Sequence, residues 1–432
     1  MRRQHPAAHG SLPVQDLCRQ RRLFGCSSLR VMVMKIPATI ALVATLACPA
    51  AAQEARGTKF GIAFKPIDAV LSKTRKRVEI TGAPSQDEPR YYRLRIKVAN
   101  PGNEDWSIVI RASTGQVLSA FDQKASACET EAGCWTRRLN SKLPAVQLST
   151  QSANVRAEVV DGLYMPSQVA SPFYSPMPGN TNELLAGLSF PNTNEKVAMQ
   201  TLADDLGMLI GSGPGIDGKL ANWCCSGTRL TSDLFMTNWH CGGADSTLAA
   251  SFWQGGICHS AIVDMSWDSD DEGREYACQK VEFSSEDLDV AIIRLTPLAD
   301  GPALSRPLLL PKLNEEPLTA GESVTVLHHP ACVAKSVTRG CSVLNPNVAT
   351  WTGPEDAASI TEFTHNCTTE NGSSGGPVFA SDGRIIGLHH LGVGPMRMEP
   401  GNFAVNVAAI LMEIKRTNDP LYKELMAATS DP

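Results

Sequence analysis

From residue 54 onward, most of the chain consists of short apolar runs in which alternate positions are polar, separated by Pro, Gly and Asn. In Tyr91-Tyr92-Arg93-Leu94-Arg95-Ile96-Lys97-Val98 the apolar residues share one face of an extended strand. Asn100-Pro101-Gly102-Asn103 then turns the chain, and Trp106-Ser107-Ile108-Val109-Ile110-Arg111 resumes the pattern. A period of two between turn residues predicts antiparallel strands, here a small β-sandwich extending to about residue 160. The runs resume from Val197 as Leu206-Gly207-Met208-Leu209-Ile210, Leu234-Phe235-Met236-Thr237, Val290-Ala291-Ile292-Ile293-Arg294-Leu295, Val324-Thr325-Val326-Leu327, Val378-Phe379 and Ile385-Ile386-Gly387-Leu388. Many short strands with loops between them predict a second all-β region, a barrel or sandwich. Only Asn406 to Arg416 has helical spacing, with Val407, Ile410, Leu411 and Ile414 on one face, which predicts a C-terminal helix packed on that β region.

Between the two β regions, Met165-Pro166 through Pro172, Pro176, Pro178, Gly179, Asn180 and Pro191-Asn192 lack an apolar period and are rich in Pro, Ser and Asn. This composition predicts a linker at 165–196, between a propeptide or accessory domain at 53–164 and a larger domain at 197–432. Such a segment is where a maturation cut is expected. Met34-Lys35 opens an apolar stretch from Ile36 to Pro49 that ends in Ala50-Ala51-Ala52. A positive start, an apolar core too short to span a bilayer and an A-x-A site describe a secretory signal peptide at 34–52, within a non-mature leader at 1–52. The expected location is therefore extracellular or periplasmic, with no stable membrane association.

The chain has 432 residues and a formal net charge of -5, and 19% of its residues are charged. That length suits two or three domains, and that charge offers no basic face for a nucleic acid. Three of the 13 cysteines, Cys18, Cys26 and Cys48, lie in the leader. The others are Cys128, Cys134, Cys224, Cys225, Cys241, Cys258, Cys278, Cys332, Cys341 and Cys367, an even set that in an exported chain predicts disulfides. No cysteine or histidine spacing suits zinc, so neither a metal nor a cofactor is expected. Proximity along the chain suggests the pairs Cys258–Cys278, Cys332–Cys341 and Cys224–Cys367, and Cys128 with Cys134 closing one loop of the sandwich.

The chemistry is concentrated in three segments: Thr237-Asn238-Trp239-His240-Cys241, Asp287-Leu288-Asp289-Val290-Ala291-Ile292 and Thr369-Glu370-Asn371-Gly372-Ser373-Ser374-Gly375-Gly376-Pro377. A serine hydroxyl becomes a nucleophile when a base takes its proton and a carboxylate orients that base. The Gly-x-Ser-x-Gly run around Ser374 would also suit an α/β-hydrolase elbow, but that fold needs Asp and then His after the serine. Only 375–432 follows Ser374 here, and it lacks an α/β pattern. The order His240, Asp289, Ser374 resembles chymotrypsin-fold serine endopeptidases over about 197–420. The Thr-Glu-x-Gly-Ser-Ser-Gly loop and the His328-His329-Pro330 turn are most similar to bacterial glutamyl (V8-like) and lysyl endopeptidases.

This resemblance implies a double β-barrel, protein or peptide substrates, His240 as general base and Asp289 as its orienting acid, with Asp287 as the competing acid. It also implies Gly372 and Ser374 as oxyanion donors and a Cys225–Cys241 disulfide behind the histidine. Thr369 and His389 match residues that bind an acidic P1 side chain in the glutamyl enzymes, and Leu391 replaces a glycine of the pocket. Arg397 would favour an acidic substrate, whereas Glu399 lies near where the lysyl enzymes carry their lysine-binding acid. Cleavage after Glu or Asp is expected, with Lys/Arg specificity, an inactive protease-like binding module and an esterase or acyltransferase as the alternatives.

Overall fold

The computed structural model describes residues 62–81, 89–130, 133–141, 144–166, 181–184, 193–214, 220–242, 258, 261–267, 274–301, 303–304, 312–349, 360–392 and 401–430. The chain divides into two compact units, 1–52 and 53–432, and every described residue lies in the second. The expected leader and signal peptide, and the pocket candidates Arg397 and Glu399, fall outside the described residues.

The first β region is a two-sheet sandwich. One sheet joins β1 (Ile62–Phe64), β9 (Arg156–Pro166), β4 (Pro89–Ala99) and β7 (Cys134–Trp135), and β2 (Val70–Ser72) also pairs with β9. The other orders β3 (Arg77–Glu79), β8 (Ala145–Thr150), β5 (Trp106–Arg111) and β6 (Val117–Asp122). Alternation decides what each face does: Tyr92, Leu94, Ile96 and Val98 of β4 meet Ile108, Ile110, Val146 and Leu148 of the opposite sheet in one buried cluster.

The second region is two barrels. Strands β11 (Leu206–Pro214), β12 (Leu220–Arg229), β13 (Leu234–Thr237), β16 (Val290–Pro297), β15 (Glu275–Ser285) and β14 (Ala261–Asp264) close on themselves in that order. The next six strands run β18 (Ser336–Ala349), β17 (Ser323–His328), β20 (Pro377–Ala380), β21 (Ile385–Leu391), β22 (Asn402–Asn406) and β19 (Ile360–His365), and a further β18–β19 pairing closes them. The segment preceding the barrels contributes β10 (Thr181–Leu184), which pairs with β18.

The C-terminal helix is α2 (Val407–Thr417), whose Asn406 side chain caps it by accepting from the Ala408 N–H. Its Val407, Ile410, Leu411 and Ile414 join Met236, Val290 and Ile292 of the first barrel and Leu327, Phe379 and Leu388 of the second, so the helix seals the seam between barrels. Two further helices depart from the reading that only the tail is helical: α1 (Thr193–Asp204) and α3 (Asp419–Ser430). Asn418 ends α2, and Asp419-Pro420 restarts the chain with proline near the first helical position, where its missing N–H costs nothing.

Among the described residues there are five disulfides, and two of the expected pairs are corrected. Cys128–Cys134, Cys225–Cys241 and Cys258–Cys278 bridge, but Cys224 joins Cys332 and Cys341 joins Cys367. Facing directions override proximity along the chain. Neighbours Cys224 and Cys225 point to opposite sides of β12, Cys225 into the barrel core and Cys224 into a cluster outside it that holds Cys332. Cys341 and Cys367 both line the core of the second barrel.

Candidate active site

His240 and Asp289 meet at the end of the first barrel, and Ser374, whose carbonyl is tied to Ser226 of that barrel, lies in a loop of the second. His240 sits in a one-turn 3-10 helix (Trp239–Cys241) directly after β13, and Asp289 ends the turn leading into β16. Antiparallel pairing of Thr237 with Ala291 sets those two strand ends side by side. The result is a 2.7 Å contact from His240 Nδ1 to Asp289 Oδ2, and the His240 backbone N–H donates to Asp289 Oδ1 at 2.9 Å. Asp289 is left-handed, with φ of 48°, a conformation that Asp tolerates better than most residues. Its backbone oxygen accepts from Asn238 Nδ2 at 2.8 Å, which ties the turn to the histidine loop. Disulfide Cys225–Cys241 and a 2.6 Å bond from Trp223 Nε1 to the Cys241 carbonyl brace that loop from behind. His240, Cys225 and Cys241 lie within metal-ligand reach of one another, but both sulfurs are consumed by the disulfide.

Burial would raise the Asp289 carboxyl, but His240 and a second histidine, His390, outweigh it and hold the group well below the usual carboxylate range. His390 Nδ1 lies 3.2 Å from Asp289 Oδ2, and its Nε2 is 3.6 Å from Glu362 Oε2. Burial pushes His390 down, yet Asp289 and Glu362 raise it to about 9, so it is a buried cation at neutral pH. Sequence reasoning missed both His390 and Glu362. The available signal was the doubled His389-His390 on a strand, where successive side chains face opposite ways.

Ser374 lies in the loop before β20. Two adjacent serines compete there, and their surroundings separate them. Ser373 is fully buried; its Oγ accepts from the Glu370 N–H at 3.0 Å and contacts His328 Nδ1 at 2.8 Å. Burial pushes His328 down to about 3, and its Nε2 contacts Thr338 Oγ1 at 3.2 Å, so Ser373 is a loop anchor on a neutral imidazole. Ser374 is half-buried. His240 Nε2 is buried and, among the described residues, has no hydrogen-bond partner, which leaves it available to a nucleophile or leaving group.

The turn around Ser374 needs glycine. Gly372 and Gly375 have φ of 91° and 84°, and a Cβ on Gly375 would meet the Ser226 carbonyl at 2.1 Å. Ser226, fully buried on β12, fastens this turn: its N–H donates to the Ser374 carbonyl at 2.7 Å, and its Oγ donates to the Gly372 carbonyl at 2.8 Å and accepts from the His329 N–H at 2.8 Å. Among the described residues, the N–H groups of Gly372 and Ser374 donate to no protein acceptor. Ser226 carries no motif, and sequence reasoning missed it too.

Beside the turn, Asn402 Nδ2 donates to Thr369 Oγ1 at 2.8 Å and to the Cys367 carbonyl at 2.6 Å. A Cβ on Gly392 would lie 3.7 Å from Asn402 Oδ1 and 3.9 Å from Thr369 Oγ1, so Thr369, Asn402 and the Gly392 backbone border one space. His389 is buried on β21 and half-buried Leu391 follows it on the same strand. His389 Nδ1 lies 3.3 Å from His365 Nε2, and His365 Nδ1 accepts from the Cys367 N–H at 3.2 Å. A backbone donor therefore leaves His365 with its proton on Nε2, which points that proton at His389 Nδ1 and leaves His389 with an Nε2–H. Burial pushes His365 down to about 3 and His389 well below its ordinary value. Asn402 is the pocket residue that sequence reasoning did not find.

The two six-stranded barrels are consistent with a chymotrypsin-like double barrel. Residues 225–388 match the model of the Trypsin-like peptidase domain. Among solved structures, the chain is similar to the Rv3671c protease of M. tuberculosis. The inactive form is 20% identical, with 53% of this chain and 96% of that one covered and a TM-score of 0.36. The active form is 18% identical over 61% and 96%, with the same TM-score of 0.36. No curated protein matches the chain.

Proposed function

We propose that the chain is an exported serine endopeptidase that cleaves peptide bonds through an acyl-enzyme on Ser374. The observation that carries this reading is the His240–Asp289 contact of 2.7 Å, with His240 Nε2 left unpartnered among the described residues. In the forward step Ser374 Oγ attacks the scissile carbonyl while His240 Nε2 takes its proton. The oxyanion that forms accepts from the Gly372 and Ser374 N–H groups, which have no competing acceptor among the described residues. The tetrahedral intermediate collapses, and His240 returns the proton to the leaving amine. Water then repeats the cycle on the acyl-enzyme with His240 again as base. Asp289 keeps the His240 Nδ1–H pointed at itself and stabilises the imidazolium; His390, which touches Asp289 but not the reacting atoms, is a positioning residue.

We assign an acidic P1 preference. His389 carries an Nε2–H on β21, and the Asn402 amide holds Thr369 at the space beside Gly392, a set of hydrogen-bond donors suited to a carboxylate. Five disulfides support an oxidising compartment, and among the described residues no helix is long and apolar enough to cross a membrane. Profiling of cleavage products from a peptide library tests the assignment: cuts after Glu and Asp are expected, and cuts mainly after Lys or Arg would overturn it.

A further inference from the structure

Period-two alternation would turn Arg93 of β4, and Met208 and Ile210 of β11, toward solvent, because their neighbours Leu94 and Leu209 fill the sandwich and barrel cores. All three are instead fully buried. Trp135 of β7 and Leu163 of β9 pack in one cluster with Met208, Ile210, Ile262, Trp267 and Leu298 of the first barrel. Next to that cluster Arg93 reaches Asp264 at 2.7 Å and Glu275 at 2.8 Å, and Arg138 reaches Glu275 at 3.0 Å. Both carboxylates are fully buried, each paired across the contact. The Arg137 N–H also donates to Asp300 Oδ1 at 3.2 Å. Separating the two regions would expose that apolar cluster and leave buried charges without their partners, which opposes release.

We propose that the sandwich, residues 62–166, is a permanent partner of the barrels, held without a covalent tie, and that a cut between β9 and β10 leaves a two-chain protein. The disulfides permit this, since Cys128–Cys134 closes within the sandwich and the other four close within 224–367. The interface also reaches the catalytic turn. Trp267 Nε1 donates to the Cys332 carbonyl at 3.0 Å, and Cys332 is bridged to Cys224. A Cβ on Gly372 would lie 3.0 Å from Cys224 Sγ and 3.1 Å from the Cys332 nitrogen. The Ala331 N–H donates to the Asn371 carbonyl at 2.6 Å, from a pair of left-handed residues, Ala331 and Cys332, with φ of 50° and 60°. The docked sandwich thus packs on Trp267, Cys224 and Cys332, the residues that lie behind the turn that carries Gly372.

The test places a site for a sequence-specific protease within 167–180 of the full chain and cuts it after folding. Gel filtration follows in about 1 M salt, where screening acts over roughly 3 Å and exposed ion pairs are lost while buried ones persist. Co-elution of the two fragments is expected, with fluorophosphonate labelling of the nicked protein equal to that of the intact one. Separation of the fragments would overturn the proposal. In a second arm Leu163→Asp, which lies outside the sandwich core and sets a carboxylate in the apolar cluster, is expected to separate on nicking. Co-elution of that variant as tightly as the parent would also count against the interface. Co-elution is read without catalysis, so its result is independent of the peptidase reading.

Discussion

Removing one oxygen atom from Ser226 should damage both stability and catalysis. Ser226→Ala adds no atoms and leaves β12 intact, but it deletes the Oγ that donates to the Gly372 carbonyl and accepts from the His329 N–H, each at 2.8 Å. Both groups lie at a fully buried position, where a stranded polar group costs about 1–3 kcal/mol, so a loss of about 2–5 kcal/mol is expected. For a domain of this size that corresponds to a fall of roughly 5–15 °C in Tm. The catalytic effect follows from the same bond, because the Gly372 peptide carries a proposed oxyanion donor and its carbonyl is no longer held. Loss of one such donor outright costs about 100- to 1,000-fold in kcat, and a loosened one should cost about 10- to 100-fold with KM little changed. Thermal unfolding followed by circular dichroism and steady-state hydrolysis of a chromogenic peptide measure the two effects. A variant that melts within a degree of the parent and keeps kcat within about twofold would refute the claim that Ser226 fastens the nucleophile turn.

Four more outcomes are expected. Asp289→Asn should lower kcat by about 10,000-fold with a small change in KM, because an amide beside Nδ1 favours the wrong tautomer; Asp287→Asn should leave kcat near the parent value. Replacing Cys225 and Cys241 together by Ala opens a loop with a sequence separation of 16 and should cost about 3 kcal/mol in denaturant titration. His390 is raised to about 9, so its contribution to stability is whole below the unfolded value near 6.5 and is lost as pH rises through 9; His328, His365 and His389 are lowered, so theirs is lost as pH falls below 6.5. Tm should therefore peak near pH 6.5 and decline toward 9, and His390→Gln should flatten the alkaline decline. A P1 carboxylate beside His389 raises its proton affinity, so the kcat/KM ratio of P1-Glu to P1-Gln substrates should fall with rising pH, and in His389→Leu it should be pH-independent and close to one.

What could be read from the sequence depended on whether the cause was local. Strands, turns and the helix at Val407–Thr417 follow from the spacing of apolar residues, which is a local property. The spacing of Cys225 and Cys241, and the order of His240, Asp289 and Ser374, were legible because each sits in a short motif. Ser226, Asn402, His390 and Glu362 were not, since each acts on a residue far along the chain and looks like an ordinary strand residue where it stands. The disulfides show the same limit: Cys332 pairs with Cys224 at a sequence separation of 108, and no pattern near Cys332 records it. Arg93 was the most misleading position. A charged residue alternating with Leu94 reads as solvent-facing, yet it is fully buried against Asp264 and Glu275, more than a hundred residues away in the chain.

Mass spectrometry after exposure to a fluorophosphonate tests the central claim most directly. The account predicts one adduct per chain on Ser374, absent in Ser374→Ala and strongly slowed in His240→Ala, with peptide cleavage lost in step. An unlabelled Ser374, or peptide cleavage that survives Ser374→Ala, would contradict it.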